Sequence, residues 1–361
     1  METIKLSPLQ HIHQSYGGKM IEYAGWSLPE RYGAGAAEHV AVRSAAGLFD
    51  ASHMGKAALY GENAAMFLQR MITGDVEQIS DNQSMYSVMC YPDGGILDDI
   101  FVYRFAHDKF LLTFNVANAY MSIQWLLHNP IDGAELNDIS ESRAILALHG
   151  PLAEKVLQGL TNTNLADLRL YHFISDVSIN NCDCLLSRAG FSGEDGFEIF
   201  SAPTDAPGLW EAILEAGKPY GVLPVGLGAR DSLRLEAGSP SYGHELIPDI
   251  NPIEAGLGGL LKFEKPDFIG RTALVESLAI GINRVITGII MDGRDVPGNG
   301  YPVEFNGREI GWVTSGGYSP TLDKNIGLAL IEADRAEAGE TVDIVIREER
   351  VSATITAIPF I

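Results

Sequence analysis

The alternation of apolar and polar positions between Met85 and Tyr103 predicts a β-hairpin. Two apolar arms flank the turn sequence PDGG at 92–95, which is typical of a tight hairpin connection. The second arm carries two adjacent carboxylates, Asp98 and Asp99. Because side chains alternate along a strand, these carboxylates should point to opposite faces, so that one can face solvent while the other lies among apolar residues. A carboxylate there costs free energy unless it has partners or a function, although a structural aspartate near a strand end is equally compatible.

Apolar positions spaced three to four apart predict helices through the first three quarters of the chain. These are expected at Pro8–Tyr16, Gly35–Ala46, Glu62–Met71, Ala119–Leu127, Gly208–Ala216 and Ala229–Glu236, with a further one opened by Pro151. Apolar runs between them predict strands at Ala57–Tyr60, Phe110–Phe114, Ala144–Leu148, Cys184–Arg188 and Phe197–Phe200. Gly47 is expected to end its helix as a C-cap, and 6–34 is otherwise expected to be loop-rich. This order favours an α+β fold with two split βαβ subdomains of the ferredoxin-like kind.

The pattern changes from residue 283 onward. Short strands are predicted at 285–291, 301–305, 309–315, 326–332, 341–347 and 351–357, separated by turns such as Asn306-Gly307. Such a series is typical of a small β-barrel. We therefore expect a boundary near 275–283, with one region of two intertwined α+β subdomains at 1–278 and a barrel domain at 279–361.

Composition narrows the possible functions. The net charge of −22 argues against nucleic-acid binding, since phosphate neutralisation needs clustered Lys and Arg. No apolar run reaches membrane-spanning length and no secretory signal pattern opens the chain. The three cysteines include a C-x-C pair, which fits neither a disulfide framework nor a redox C-x-x-C motif. We expect a cytoplasmic protein with no membrane association.

A second candidate group lies in the second half. Glu198 sits inside the apolar run Phe197–Phe200 and needs paired donors if it faces inward. A guanidinium or the amidine-like edge of a pterin would satisfy it, and so would a structural arginine. Arg230 and Arg234 are spaced i,i+4 and share a helix face, where one can balance Glu198 or bind an anion. Ordinary surface ion pairing is the simpler interpretation.

Other chemistries lack their motifs. The glycines at 226–228 do not have phosphate-loop spacing, and a G-x-G alone is weak. His53 and His244 are isolated, with no H-E-x-x-H motif or Cys/His cluster, so no metal site is expected. No G-x-S-x-G nucleophile elbow is present.

Motifs along nearly the whole chain resemble, in order, those of the aminomethyltransferase family, the T-proteins of the glycine cleavage system. In the first half they are GLFDASHMGK at 47–56, PDGGILDD at 92–99, NVAN at 115–118 and HGP at 149–151. In the second half they are SRAGFSGEDGFEIF at 187–200, GLGARDSLRLEAG at 226–238, YGHEL at 242–246, NPIEAGLG at 251–258, DFIGR at 267–271 and TSGGYSPTLDKNIGLAL at 314–330. One such motif is weak evidence, whereas the whole series in register is specific.

The resemblance implies a three-lobed cloverleaf with a central folate pocket, tetrahydrofolate as co-substrate and a lipoylated H-protein as partner. The implied reaction moves an aminomethyl group from the lipoyl sulfur to tetrahydrofolate, giving 5,10-methylenetetrahydrofolate and ammonia. Asp99 matches the essential acidic residue of the family. The positions that match folate-binding residues are Glu198, Arg230, Tyr86, Tyr103, Asn115, Tyr171 and Met54.

Two departures keep alternatives open. The family usually has Tyr at the position of Phe191 and Trp at that of Gly259. A folate-dependent demethylase acting on a small methylated substrate is the first alternative. A non-catalytic folate-binding protein of iron–sulfur cluster assembly is the second, but Cys182 and Cys184 do not match the cysteine motif of that class.

Overall fold

The computed structural model describes residues 4–361. Its helices are α1 Gln10–Ser15, α2 Gly35–Ser44, α3 Ala64–Met71, α4 Ala119–Leu127, α5 Ala153–Gln158, α6 Ala206–Gly217, α7 Leu227–Glu236 and α8 Arg271–Ile280. The first strands are β1 Lys5–Leu6, β2 Lys19–Tyr23, β3 Trp26–Arg31, β4 Gly47–Asp50, β5 Gly55–Tyr60, β6 Gln83–Cys90, β7 Ile96–Ala106, β8 Lys109–Phe114, β9 Glu135–Asp138 and β10 Ala144–His149. They are followed by β11 Phe173–Ile179, β12 Cys182–Arg188, β13 Gly196–Ser201, β14 Leu223–Val225, β15 Arg284–Met291, β16 Pro302–Phe305, β17 Arg308–Ser319, β18 Lys324–Glu332, β19 Thr341–Ile346 and β20 Glu349–Thr356.

These strands form three open sheets and one closed barrel. The sheets have the orders β1-β3-β2, β6-β7-β8-β5-β9 and β11-β12-β13-β10-β4-β14. The barrel runs β15-β18-β17-β16-β19-β20. Helices, open sheets and a C-terminal barrel together confirm the α+β fold class. An amphipathic helix in such a fold needs a sheet face against which to bury its apolar stripe.

The chain divides into two compact units. One comprises 4–65, 77–85 and 101–231 of the described residues, and the other comprises 66–76, 86–100 and 232–361. In the first unit, a core cluster that includes Leu48, Leu146 and Trp210 is buried. In the second, one cluster includes Val88, Ile96 and Leu328, and another fills the barrel. The division at 278/279 stays a prediction.

The hairpin predicted between Met85 and Tyr103 is confirmed as β6 and β7. Its turn is closed by hydrogen bonds from the Tyr91 N–H to the Gly95 carbonyl and from the Gly94 N–H to the Tyr91 carbonyl, both 2.9 Å long. Gly94 has φ +88°, a conformation that favours glycine. A Cβ on Gly95 would lie 1.9 Å from the Pro248 carbonyl oxygen, so this position also excludes a side chain.

Two local predictions differ from the structure, and one helix was not predicted. Gly47 begins β4 rather than capping α2, whose C-cap is Ala45. The stretch 6–34 contains β2 and β3 in addition to α1, because β1 and β2 both pair with β3 there. Helix α8 was missed as well, since its apolar residues do not concentrate on one face.

Helix α7 is tied to the barrel within the second unit. The Arg234 guanidinium donates to Glu245 Oε2 at 3.1 Å and to Ser315 Oγ at 3.0 Å. Glu236 accepts hydrogen bonds from the hydroxyls of Ser319, at 2.5 Å, and Thr321, at 2.9 Å. Buried charged groups held by strand residues in this way are costly to separate from their partners.

Candidate functional site

A tyrosine–carboxylate pair marks the hairpin in the second unit. Tyr86 on β6 donates its hydroxyl to Asp99 Oδ2 on β7 at 2.8 Å. Both residues are half-buried. A short hydrogen bond from a phenol orients the carboxylate, and hydrogen bonds to ionised acceptors are stronger than neutral ones. Asp99 is thus held in one orientation while part of the residue stays accessible.

The neighbouring carboxylate is not at the surface. Asp98 is fully buried, which differs from the expectation that one aspartate of the pair can face solvent. The reason is that both faces of β7 are covered at this point: Ile96, Leu97 and Ile100 are also buried. Asp98 Oδ1 accepts the backbone N–H of Asp99 at 3.0 Å, so Asp98 helps to fix the backbone that carries Asp99.

A second tyrosine–carboxylate pair lies in the first unit. The hydroxyl of Tyr103 on β7 donates to Glu198 Oε2 on β13 at 2.8 Å. Burial raises the pKa of Glu198, and the hydrogen bond from Tyr103 acts in the opposite direction. Tyr103 is fully buried, and burial together with the Glu198 carboxylate raises its pKa well above the ordinary value. The partner of Glu198 seen here is therefore a tyrosine and not the arginine considered from the sequence.

Aromatic rings extend from this second pair. Phe101 lies 6.2 Å from the Tyr103 ring and 6.1 Å from the Tyr171 ring, in tilted arrangements. Tyr171 is exposed and has φ +58°, while Met54 packs at the edge of the apolar cluster that contains Tyr103. A planar heteroaromatic ligand would find ring faces and an acceptor carboxylate together here.

Arg230 of α7 stacks on Phe191. Its guanidinium carbon lies 4.9 Å from the ring centroid, within the range of a cation–π contact. His149 also packs against Phe191, with 4.7 Å between centroids. Burial lowers the pKa of His149 and of His53 to about 4, and the charge of Arg230 adds to this in both. These histidines are therefore neutral at pH 7, and Arg230 supplies a positive charge near both of them.

Asn115 is half-buried directly after β8, where its carbonyl accepts the Asn118 N–H at 3.1 Å. The structure thus groups Met54, Tyr103, Asn115, Tyr171, Glu198 and Arg230 in the first unit, and Tyr86 and Asp99 in the second. Sequence reasoning missed Phe101, whose only signal was its place between Asp99 and Tyr103.

Among residues 4–361, no group of three or more His, Cys, Asp or Glu side chains is placed to hold a metal ion. Within the same residues, every helix is too short or too polar to cross a bilayer.

Two family models together match almost the whole chain. The GCVT N-terminal domain covers 9–265 and the glycine cleavage T-protein C-terminal barrel domain covers 284–361. The chain belongs to the glycine cleavage T-protein family. Membership of the aminomethyltransferases makes this chain an enzyme of that type.

Individual relatives agree with the family assignment. The chain is 46% identical to the aminomethyltransferase of Halalkalibacterium halodurans, over 100% of this chain and 99% of that protein. It is 48% identical to the aminomethyltransferase of Geobacillus sp. strain WCH70, over 99% and 98%. The crystal structure of glycine cleavage system aminomethyltransferase T from Bartonella henselae is similar with a TM-score of 0.92 at 33% identity, covering 99% of this chain and 98% of that chain.

Proposed function

We propose that this enzyme is the tetrahydrofolate-dependent aminomethyltransferase of the glycine cleavage system. It would accept the aminomethyl group carried by lipoylated H-protein, transfer its carbon to tetrahydrofolate as 5,10-methylenetetrahydrofolate, and release ammonia and the reduced lipoyl arm. The observation that carries the proposal is the half-buried Asp99 carboxylate, oriented by the Tyr86 hydroxyl at 2.8 Å. Supporting it are the relatives, which are named aminomethyltransferases, and the general folate dependence of the family.

Asp99 is assigned the chemical role. A carboxylate fixed by a phenol keeps an acceptor in place for an N–H group, which aligns a substrate amine and manages its proton. Its negative charge also stabilises the cationic, iminium-like character that develops on the aminomethyl group when the bond between its carbon and the lipoyl sulfur breaks. Both effects need the carboxylate in a fixed orientation, which the hydrogen bond from Tyr86 supplies.

Glu198 is assigned a binding role. The edge of a reduced pterin presents adjacent N–H donors, and a carboxylate accepts two such donors side by side. Burial raises the pKa of Glu198, so a ligand that donates to it removes part of the cost of keeping it ionised. Tyr103, Tyr171, Met54 and Asn115 would line the bound ring system, while Arg230 would attract an anionic part of the ligand.

The test is an assay of 5,10-methylenetetrahydrofolate formation from purified enzyme, tetrahydrofolate and aminomethylated H-protein. Product and ammonia should appear in equal amounts, and unlipoylated H-protein is the control that should give neither. Small sulfonium and aryl-ether methyl donors, tested in parallel, cover the demethylase alternative. Methyl transfer from these donors without activity on H-protein would replace the proposal, and folate binding without either activity would favour the non-catalytic alternative.

A further inference from the structure

A buried lysine closes the end of α3 in the second unit. Lys265 is 5% exposed, and its Nζ donates to the carbonyl oxygens of Gln69, Ile72 and Gly74 at 2.7, 2.5 and 2.7 Å. The last carbonyls of a helix have no partner within the helix, and an ammonium offers three N–H donors. Three carbonyls around one ammonium therefore match its full donor capacity.

This lysine is costly to keep charged. Burial lowers the pKa of Lys265 to about 7, while Asp75 and Asp267 act to raise it. The Phe268 ring lies 4.9 Å from Nζ and supplies a further cation contact. Helices commonly end with a glycine or with water on their last carbonyls, at no such cost. A buried ammonium at this helix end therefore points to a role beyond capping.

The segment held by Lys265 also holds β6. The Thr73 N–H donates to the Val88 carbonyl at 2.8 Å, and the Gly74 N–H donates to Ser87 Oγ at 2.9 Å. Ser87 and Val88 are fully buried. They directly follow Tyr86, the residue that donates to Asp99. A continuous set of hydrogen bonds thus leads from the Lys265 ammonium, through 72–74, to the strand that carries Tyr86.

We propose that Lys265 is a positioning residue for the Tyr86–Asp99 pair, acting through the segment 69–74 and Ser87. The ammonium fixes the carbonyls of the segment, and the segment fixes β6 beside Tyr86. The kinetic part of this inference rests on the proposed function, whereas the structural part does not.

Kinetics of three single variants and one double variant test the inference. Lys265→Met keeps the side-chain length without the charge, and Ser87→Ala removes the acceptor for Gly74. Lys262→Met is the matched control, because Lys262 is partly exposed and its Nζ donates to the Gly259 carbonyl at 3.4 Å, outside the segment 69–74. Assays use aminomethylated H-protein and tetrahydrofolate.

Lys265→Met and Ser87→Ala should each lower kcat about tenfold and leave KM for tetrahydrofolate within about twofold, since only the step that uses Asp99 is affected. Because the two residues act in one chain of contacts, the double variant should lie within about twofold of the worse single variant. Lys262→Met should match the wild type. Unchanged kcat in folded Lys265→Met, or losses that multiply in the double variant, would overturn the inference.

Hydrogen exchange provides a readout that does not depend on activity. In Lys265→Met, amides of 69–76 and of 83–90 should exchange faster, while those of β19 and β20 should not change. Unchanged exchange at 83–90 overturns the inference even when the enzyme is inactive. If the wild type forms no product but exchange at 83–90 responds, the proposed function fails and the positioning of Tyr86 stands. Should Lys265→Met not fold, Ser87→Ala supplies both readouts, with faster exchange expected at 83–90.

Discussion

Two tyrosine–carboxylate pairs, one in each unit, use the same contact in different surroundings. Tyr86–Asp99 and Tyr103–Glu198 both have a hydroxyl donating to a carboxylate oxygen at 2.8 Å. The first joins the two arms of one hairpin, and both of its residues are half-buried. The second joins residues 95 positions apart, and its tyrosine is completely enclosed.

This difference indicates that the two pairs have different roles. An enclosed phenol beside a carboxylate whose pKa is raised favours recognition of a donor-bearing ligand, because the ligand relieves the cost of burial. A half-exposed carboxylate fixed by a neighbouring strand favours chemistry, because reacting groups need access and orientation. Variants at the two pairs should therefore affect different kinetic constants.

The largest effect is expected from Asp99→Asn. Turnover should fall about 10²–10⁴-fold, the usual range for loss of a general acid–base group, while the dissociation constant for tetrahydrofolate stays within about tenfold. Product formation and titration calorimetry measure the two quantities. Turnover equal to that of the wild type would remove Asp99 from the mechanism and end the division between the pairs.

Glu198→Ala should have its main effect on binding. Loss of a buried charged hydrogen-bond partner costs about 1–3 kcal/mol, which is about 5- to 150-fold in the dissociation constant for tetrahydrofolate. Turnover at saturating folate should change much less. Calorimetry showing wild-type affinity would refute the assignment of Glu198 to the pterin.

Substitution of the two tyrosines should change kcat and folate affinity separately, and by smaller factors than substitution of the carboxylates. Tyr86→Phe should lower kcat about 5- to 20-fold with unchanged folate affinity, because only the orientation of Asp99 is lost. Tyr103→Phe should instead weaken folate binding about 2- to 13-fold, since a typical hydrogen bond contributes about 0.5–1.5 kcal/mol net. Steady-state kinetics and calorimetry on both variants decide the matter, and identical profiles for the two would contradict the division.

The smallest effect concerns stability and pH. The folded-state pKa of Glu198 is raised above its ordinary value of 4.5, so the stabilising form is the protonated one, present below about pH 4.5 and lost as the pH rises through the folded-state pKa. Glu198→Gln should therefore melt about 1–3 °C higher than the wild type at pH 7. The difference should vanish near pH 4 in thermal melts followed by circular dichroism. A lower melting temperature for Glu198→Gln at pH 7 would argue that the carboxylate is well compensated in the free enzyme.

Much of the fold follows from local pattern. Turn residues such as Asn306-Gly307 separate the barrel strands along the sequence, and β15 to β20 lie close to their predicted positions. Helix α4 has the predicted bounds. By contrast, β2 and β3 were missed because their pairing partners, rather than their own composition, define them. Strand formation there depends on contacts that a single segment does not encode.

The site followed from the sequence only in part. The need of Asp99 and Glu198 for partners was visible from their apolar neighbours, but the partners were not. Tyr103 lies 95 residues before Glu198, a separation at which no local pattern operates. The complete burial of Asp98 escaped prediction for a related reason, since it depends on both faces of β7 being covered.

The hydrogen bonds from α7 to the barrel determine whether a truncated form of this chain would be stable. A truncated gene product ending near 278 would keep Arg234 and Glu236 but lose their partners Ser315, Ser319 and Thr321. Arg234 would keep its ion pair with Glu245, whereas the Glu236 carboxylate would lose the two hydroxyls that donate to it, so such a fragment should be less stable than the full chain and prone to aggregation. For the same reason, we do not expect recombination in evolution to exchange the barrel as an independent domain, since a foreign barrel would lack the residues that bind Arg234 and Glu236.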